Sequence, residues 1–380
     1  MTLRASKPAF NVREKLTELG RRFGLKGSEL AAAETVQEAR EIVSAGRKNL
    51  IINGNPIVYQ RGQTATSIAN YQYHTADRWR FSASGTGSST NRVTNMSVVT
   101  NTDIAGDFIG NYVRYDTTTA STNPASNASA GYNYRMEPQD IVPYLGKDMT
   151  ISFYARSNAG IAINSGFVSG TTASSIYLMD PNDSSTWVRL TSDWKRYKFT
   201  FTLGTTVPST FLDIAFRHQP GIVGNVDMTG IQLEAGRNAT DFEHRSYGEE
   251  LALCQRYFQG WNATSSTERA KTGIKVYDFE GNSSVNQTTT IGTGSVVDAD
   301  DARIEFSFPV TMREKPTPTA GDLRLAVGST LYNSSTTIQY NNSTTHNFSA
   351  LVDNGGGMTA GQAAILIIKG NGYFYLDAEL

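Results

Sequence analysis

The sequence predicts a mostly β protein, with helices confined to its N-terminal part and to one short internal segment. The first observation is compositional: Gly, Ser, Thr, Asn, Tyr and Phe are abundant, and long aliphatic or charged side chains are scarce after residue 48. This bias favours sheets and turns over helices. The second observation is a pattern, because short runs of alternating apolar and polar residues recur at a spacing of roughly ten residues between turn-rich segments.

Length and charge limit the functions that the chain can have. Its 380 residues exceed one ordinary core and predict two β-domains plus an appendage. The 34 Lys and Arg residues balance 35 Asp and Glu residues, so we expect no nucleic-acid partner and no polybasic membrane contact. No apolar run approaches the roughly 20 residues that span a bilayer, and the N-terminus lacks a signal-peptide core. We therefore expect a soluble protein made in a cytoplasm.

Residues 1–48 have the periodicity of two helices, each with one apolar stripe. The stripe residues are Val12, Leu16, Leu19, Phe23, Leu30, Val36 and Val43. Two interpretations stay open at this point: the stripes pack on the chain's own β-domain, or they anchor it to further copies or to a larger particle. Cys254 is the single cysteine, so burial and association between chains, not a disulfide, should hold the fold.

The pattern of residues 49–246 predicts a jelly-roll β-sandwich of about eight or nine short strands and a further strand that closes it. The predicted strands are the first one in NLIINGNPIVYQRG, then Ala76–Phe81, Ser97–Thr100, Tyr112–Asp116, Tyr132–Glu137, Met149–Arg156, Ile176–Met179, Trp194–Leu203, Phe211–Arg217 and Ile231–Leu233.

A coupling segment, residues 247–260, follows the sandwich. Ser246 can cap a helix over Glu249–Phe258, with Glu249 three residues after the cap. The segment is not rich in Gly and Ser, which predicts a rigid coupler that packs on both neighbours and buries Tyr257 and Phe258. Residues 261–380 are again β-patterned and predict a C-terminal β-sandwich, in which Ile365–Ile368 is buried in the monomer core or at an intersubunit seam.

Three stretches carry a resemblance to bacteriophage proteins. GIQLEAG followed by ATDFEHRSYGEELALCQRYF (residues 230–236 and 239–258) resembles the junction after a carbohydrate-binding-module-like jelly roll in phage tail-fibre and virion structural proteins. Residues 5–54 resemble the N-terminal attachment region of marine cyanophage structural proteins. FPVTMREKPT and YFYLDAEL resemble the C-terminal domain of many phage tail and fibre proteins.

The resemblance implies a non-enzymatic virion structural protein, most of all a tail fibre or receptor-binding component that adheres to a bacterial surface glycan. It implies that the N-terminal helices bind other virion proteins and that the chain forms a homo-oligomer, with the trimer of phage fibres as the expected state. The alternative is a capsid or tail decoration protein whose β-domains mainly contact other virion subunits. A glycan depolymerase is a third interpretation.

The sequence offers little to a catalytic interpretation. Its four histidines are scattered, and it contains no HExxH, GxSxG or P-loop motif. Carboxylates cluster at Asp298, Asp300 and Asp301, and again at Glu234, Asp241 and Glu243. Neither cluster lies among aromatic residues as in a sugar-cleaving cleft, so we predict a solvated turn and a hydrogen-bonded corner, in a protein that is not an enzyme.

Aromatic side chains are the better candidates for a binding site, because their rings stack on the apolar faces of sugars. The glycan-binding candidates are Trp79, Tyr132, Tyr134 and Trp187. Trp187 lies in the turn-rich MDPNDSSTWVRL and is the best placed for exposure, whereas Trp79 also fits a core position. Trp194 alternates with apolar strand residues in SDWKRYKFTF and is predicted to be core. The other interpretation of the whole set is that these rings fill the sandwich cores.

A calcium ion at the edge of the jelly roll is a further possibility that the resemblance implies. Its oxygen ligands would come from Asn53, Asn55 and Asp227. These candidates leave the metal undecided, and we expect no other cofactor. The expected location of the protein is the virion.

Overall fold

The computed structural model of the protein describes residues 48–66, 72–83, 93–100, 110–119, 130–169, 176–177, 188–208, 210–218, 222–262, 288–333, 338–339, 343–353 and 356–379. The predicted N-terminal helices and their apolar stripes lie outside these residues, and so does Trp187. The described residues are mostly in antiparallel strands, which confirms the predicted β class.

One sheet of the first β-domain has six strands within the described residues. They are β1 (Thr64–Ala65), β4 (Val93–Val99), β5 (Tyr112–Thr119), β7 (Asp148–Ser157), β11 (Lys195–Thr202) and β13 (Gly224–Ala235). Their order in the six-stranded sheet is β1-β4-β5-β13-β7-β11. The long β13 therefore lies between β5 and β7, although it is the last strand of this domain in sequence.

The facing sheet has seven described strands. They are β2 (Gln72–Tyr73), β3 (Trp79–Ala83), β6 (Ala130–Met136), β8 (Ala162–Ser169), β9 (Ile176–Tyr177), β10 (Val188–Arg189) and β12 (Leu212–His218). The order is β10-β8-β12-β6-β3-β2, with β9 paired to β8. Strand β8 was not predicted, because its small and polar residues, AINSGFVS, lack a clear alternation. A short helix α1 (Pro138–Ile141) and a 3-10 helix (Val142–Tyr144) connect β6 to β7.

Aromatic rings join the two sheets into one core. Phe81 of the seven-stranded sheet stacks on Tyr115 of the six-stranded sheet, with ring centroids 5.2 Å apart. Tyr115 also meets Tyr132 edge to face at 5.1 Å, and Phe153 meets Phe216 at 5.0 Å. Each of these rings is at most 2 % exposed. The predicted β-sandwich is thus confirmed, with its core filled largely by aromatic residues.

Helix α2 (Tyr247–Gln255) lies between the sandwich and the C-terminal domain. The Ser246 hydroxyl accepts a hydrogen bond from the Glu249 N–H at 3.3 Å, so the predicted cap is present. The helix starts two residues before the predicted position and ends before Tyr257. The chain becomes extended at Phe258, where a strand of the C-terminal sheet begins.

The coupling segment contacts both domains. The Glu250 carboxylate accepts a hydrogen bond from the Asn53 N–H of the sandwich at 2.6 Å. The Tyr257 hydroxyl donates to Glu137 at 2.6 Å, and the Tyr257 carbonyl accepts from Ala378 N–H at 2.8 Å. Tyr257 and Phe258 are each 2 % exposed, as predicted. The segment is a fixed coupler because hydrogen bonds and burial hold it from both sides.

The C-terminal domain consists of eight described strands in one sheet. They are β14 (Phe258–Asn262), β15 (Thr288–Val296), β16 (Asp301–Ser307), β17 (Thr317–Val327), β18 (Thr330–Asn333), β19 (Ile338–Gln339), β20 (Asn347–Asp353) and β21 (Ala363–Asp377). The order is β18-β17-β21-β15-β16-β20-β19, and β14 pairs with the far half of β21. The domain therefore begins at Phe258 and not at the predicted residue 261.

This sheet curls around its own core. Trp261 of β14 contacts Phe306 of β16 at 5.4 Å, and Phe348 of β20 contacts Phe374 of β21 at 5.0 Å, although neither pair of strands is hydrogen-bonded. Leu366 is 0 % exposed in the same core. Of the two interpretations of Ile365–Ile368, burial within the monomer holds for Leu366 and Ile368, whereas Ile365 is half-buried and lies outside this core.

Gly54 offers a test of how the first segment docks on β13. A Cβ at this position would lie 2.0 Å from the Ile231 carbonyl oxygen, which is backbone and cannot swing away. We expect Gly54→Ala to lower the free energy of unfolding by about 1–3 kcal/mol, because the backbone at residue 54 must move away from that of Ile231. Urea denaturation followed by circular dichroism measures it. The control is Gly248→Ala, in α2 with nothing within 4 Å, which should be neutral or stabilising.

Candidate functional site

The outer face of the six-stranded sheet carries an unusual set of side chains. Successive residues of a strand point to opposite faces, and in β11 Tyr197 points into the core. Trp194 is three residues away and so has the opposite parity. It lies half-buried on the outer face, outside the core between the sheets. The prediction that Trp194 is a core residue was wrong, because residues three positions apart in a strand point to opposite faces and Tyr197 is the one that points into the core.

An Arg–Asp–Arg row crosses the middle of this face. Asp227 of β13 is in register with Arg114 of β5 and with Arg156 of β7. The Arg114 Nε and Nη2 donate to the two carboxylate oxygens at 2.8 and 2.9 Å, and the Arg156 Nε donates at 2.9 Å. The Asp227 side chain is 1 % exposed, while the two arginine side chains are about a third exposed. The hydrogen bonds to Asp227 raise the pKa of Arg114 above the ordinary value, so the Arg114 guanidinium stays charged.

Two aromatic rings converge on this row. Tyr112 of β5 and Trp194 beside β11 meet edge to face with centroids 5.3 Å apart. Because β13 and β7 lie between their strands, the two rings must lean toward each other across the face. The Arg156 guanidinium lies 4.8 Å from the Trp194 ring and 5.5 Å from the Tyr112 ring, distances typical of cation–π contact. Val99, Tyr154 and Phe242 pack around Tyr112 and complete the cluster.

Several hydrogen-bond donors of the cluster have no acceptor within the described part of the chain. The Tyr112 hydroxyl accepts from Arg114 Nη2 at 3.3 Å, which leaves its own proton free to donate. The Trp194 Nε1 is buried and has no acceptor among the described residues. Neither terminal nitrogen of Arg156 bonds to another described residue. The Arg156 side chain is 29% exposed, so its terminal nitrogens are the donors of this cluster that a polar ligand can reach.

The neighbouring part of the face is closed by the chain that follows β13. Glu234 accepts a hydrogen bond from the Thr240 N–H at 2.9 Å, and Gln232 accepts from the Glu243 N–H at 2.8 Å. Glu243 in turn accepts from the Asn49 N–H at 2.7 Å. The acidic corner is thus a hydrogen-bonded structural element, as predicted, in which the Glu234 and Glu243 carboxylates are both occupied, and it borders the cluster through Phe242.

Three predicted glycan-binding residues are instead core residues, and this corrects the prediction. Trp79 is 2 % exposed, and Tyr132 and Tyr134 are each 1 % exposed. The Trp79 Nε1 donates to the Asn53 carbonyl at 2.9 Å, and the Tyr134 hydroxyl accepts from the Ile52 N–H at 2.9 Å. Burial raises the pKa of Tyr134 to about 12. These positions of β3 and β6 face the core between the two sheets. Their rings therefore cannot stack on a sugar.

The calcium candidates do not form a ligand set. The Asn53 Oδ1 accepts from the Val58 N–H at 3.1 Å, and the residue is 0 % exposed, so this oxygen is enclosed within the protein. Asp227 is held by two guanidinium groups, and a dication would have to displace both. The Asn55 Oδ1 is buried without a partner among the described residues, but one oxygen is too few for calcium. Across the described parts of the chain, no group of three His, Cys, Asp or Glu side chains is placed to hold a metal ion.

The Asp298–Asp301 carboxylate cluster and the single cysteine are placed as structural elements. The Asp298 Oδ1 accepts hydrogen bonds from the N–H groups of Asp300 and Asp301, each at 2.9 Å, in an exposed turn between β15 and β16. This is the predicted solvated turn. Cys254 is fully buried, and burial raises the pKa of its thiol well above the ordinary value, so the reactive thiolate is disfavoured.

Comparisons with known proteins complete the description. No protein-family model and no curated protein matches the chain. Similar solved structures include a CBM4 structure, with 18% identity over 48% of this chain and 98% of that one, TM-score 0.31. The family 11 carbohydrate-binding module of a cellulosomal cellulase of Clostridium thermocellum is 14% identical over 46% of this chain and 97% of that one, TM-score 0.27.

A phage structure also occurs among the similar ones. The enzymatically active domain of tailspike protein 4 of bacteriophage CBA120 is 16% identical over 45% of this chain, but only 21% of that chain is covered, with a TM-score of 0.30. At these identities and TM-scores the likenesses carry no argument about function. Within the described residues, no helix combines the length and apolar character needed to cross a bilayer.

Proposed function

We propose that the protein is a non-enzymatic glycan-binding component of a phage virion, and that it binds sugar on the outer face of the six-stranded sheet. The observation that carries this proposal is the cluster of Trp194, Tyr112 and Arg156, in which ring surface lies beside unused hydrogen-bond donors. Pyranose rings offer apolar C–H faces together with hydroxyl acceptors. The phage setting rests on the resemblance of residues 230–258 to tail-fibre junctions.

The fixed orientation of the two domains suits the proposed site to multivalent attachment. The coupling segment fixes the sandwich against the C-terminal domain through Tyr257 and Glu250. We propose that an oligomer, a trimer in the tail-fibre interpretation, presents several copies of the same face in fixed orientations on one particle. Weak contacts at each face then add up, because each bound copy raises the effective concentration of the next.

Replacement of the half-buried Trp194 ring tests the site. We expect Trp194→Ala to weaken binding to an array of bacterial surface polysaccharides by about tenfold, because one stacked ring contributes on the order of 1–2 kcal/mol. The matched control is Tyr247→Ala, which removes an aromatic ring that is 41% exposed on α2, away from the face. Binding of the full chain to the array, with circular dichroism to check folding, is the measurement.

The outcomes separate the two proposed roles. Undiminished glycan binding by a folded Trp194→Ala variant would contradict the proposed site. If no polysaccharide binds, and the same variant instead loses binding to purified virion subunits, the face serves assembly and the decoration-protein interpretation is correct.

A further inference from the structure

We infer that the outer face of the six-stranded sheet selects glycans that carry an acidic group, either the carboxylate of a uronic acid or a sulfate ester. The inference rests on the proposed glycan-binding function and adds the chemical class of the ligand. It follows from which hydrogen-bonding groups of the face are used within the protein and which are not.

The groups left over at the cluster are donors. Asp227 is the carboxylate bonded to Arg156, but it is 1 % exposed and accepts from both arginines. Within the described residues, the donors without an acceptor are the buried Trp194 Nε1 and the terminal nitrogens of Arg156, and the Arg156 side chain is 29% exposed. A neutral sugar hydroxyl needs acceptors as well as donors to satisfy both its proton and its lone pairs. A carboxylate or sulfate only accepts, so it matches this set.

The charge of the face is unevenly distributed. Asp227 balances one of the two guanidinium groups that bind it, and the other charge is left over. Asp116, two residues from Arg114 on β5, adds to the rise in the pKa of Arg114 and therefore acts at that end of the row. At the opposite end, Asp227 is the only acid among the described residues within ion-pair distance of Arg156. The excess positive charge therefore lies at Arg156, next to the rings.

Arg156 is also held in a fixed orientation. Its Nε is fixed by Asp227 at 2.9 Å, and its guanidinium plane is confined by Trp194 and Tyr112. Its terminal nitrogens form a planar fork that suits the two oxygens of a carboxylate or sulfate. Because the fork is already ordered, the Arg156 side chain loses little conformational entropy when a ligand binds.

The test compares three defined ligands by titration calorimetry with the full chain. They are tetragalacturonate, its neutral counterpart tetragalactose, and a sulfated galactan tetrasaccharide. We expect an acidic ligand to bind at least about tenfold more tightly than the neutral one at low salt. We expect this preference to shrink as salt is raised, because partly exposed charges are screened. The carboxylate and sulfate arms identify which of the two groups fits the fork.

Arg156→Gln removes the positive charge and the terminal guanidinium nitrogens while it keeps a polar, though shorter, side chain. We expect this variant to bind the acidic and neutral ligands within about twofold of each other. The control is Arg237→Gln, which makes the same change of charge at an arginine that is 76% exposed and paired to Asp148 outside the cluster. This control should keep the full preference.

Each outcome bears on the inference. An acidic preference that Arg156→Gln removes and Arg237→Gln keeps supports it. If acidic and neutral sugars bind equally well and Trp194→Ala weakens both, the proposed function stands and the inference of an acidic ligand is overturned. If none of the three ligands nor any array polysaccharide binds, the proposed function fails and the inference fails with it.

Discussion

Arg78→Met is expected to lower the free energy of unfolding by about 3–5 kcal/mol, because it leaves a buried carboxylate without its main partner. The Arg78 side chain is 1 % exposed and pairs with Glu379, which is 3 % exposed. Arg78 also donates to the Arg135 carbonyl at 2.5 Å, and its guanidinium lies 3.5 Å from the Tyr257 ring. One side chain thus connects the sandwich, the coupling segment and the C-terminal domain.

The measurement is urea unfolding followed by circular dichroism and by tryptophan fluorescence. Arg78→Met should shift the midpoint and separate the transitions of the two domains, because their contact is weakened. The double variant Arg78→Met/Glu379→Gln should recover part of the loss, since it no longer buries an unpaired charge. Arg237→Met is the control: its pair with Asp148 is exposed, so a change of at most about 1 kcal/mol is expected. Equal effects of Arg78→Met and Arg237→Met would refute the interdomain role.

Trp79→Ala is expected to cost about 3–5 kcal/mol of stability, as is usual when a buried tryptophan is truncated. The Trp79 ring contacts Tyr134 at 5.1 Å and Phe216 at 6.2 Å in the sandwich core. Trp79→Phe should be milder, about 1–3 kcal/mol, because a ring remains but the Asn53 carbonyl loses its donor. Thermal unfolding of the three proteins gives these differences.

Glycan binding by Trp79→Phe distinguishes a core role from a ligand role. Trp79 belongs to the seven-stranded sheet and the proposed site lies on the outer face of the other sheet, so a folded Trp79→Phe variant should bind as tightly as the wild type. Binding is compared below both unfolding midpoints, with Trp194→Ala as the positive control for loss. If Trp79→Phe loses binding while its stability is intact, Trp79 contacts the ligand and its assignment to the core alone is wrong.

The two tryptophans show what the sequence can and cannot predict. Local patterns identified most strands of the sandwich, the Ser246 cap and the burial of Tyr257, because these features depend on residues close in the chain. The face on which a strand residue points depends on parity, and counting from Tyr197 would have placed Trp194 outside the core. The Arg114–Asp227–Arg156 row could not be predicted, because it requires the register of three strands that are distant in sequence.

The pairing of β14 with β21 sets an order of events during synthesis. A ribosome makes the whole sandwich and Phe258–Asn262 long before it makes the partner residues Tyr373–Asp377. The sandwich can fold as soon as β13 has emerged, since N-terminal domains generally fold first. The backbone of β14 then has no β21 partner until the intervening residues have been translated. The two domains consequently lock together late, and the nascent chain passes through a stage in which the sandwich is folded and its distal half is still unpaired.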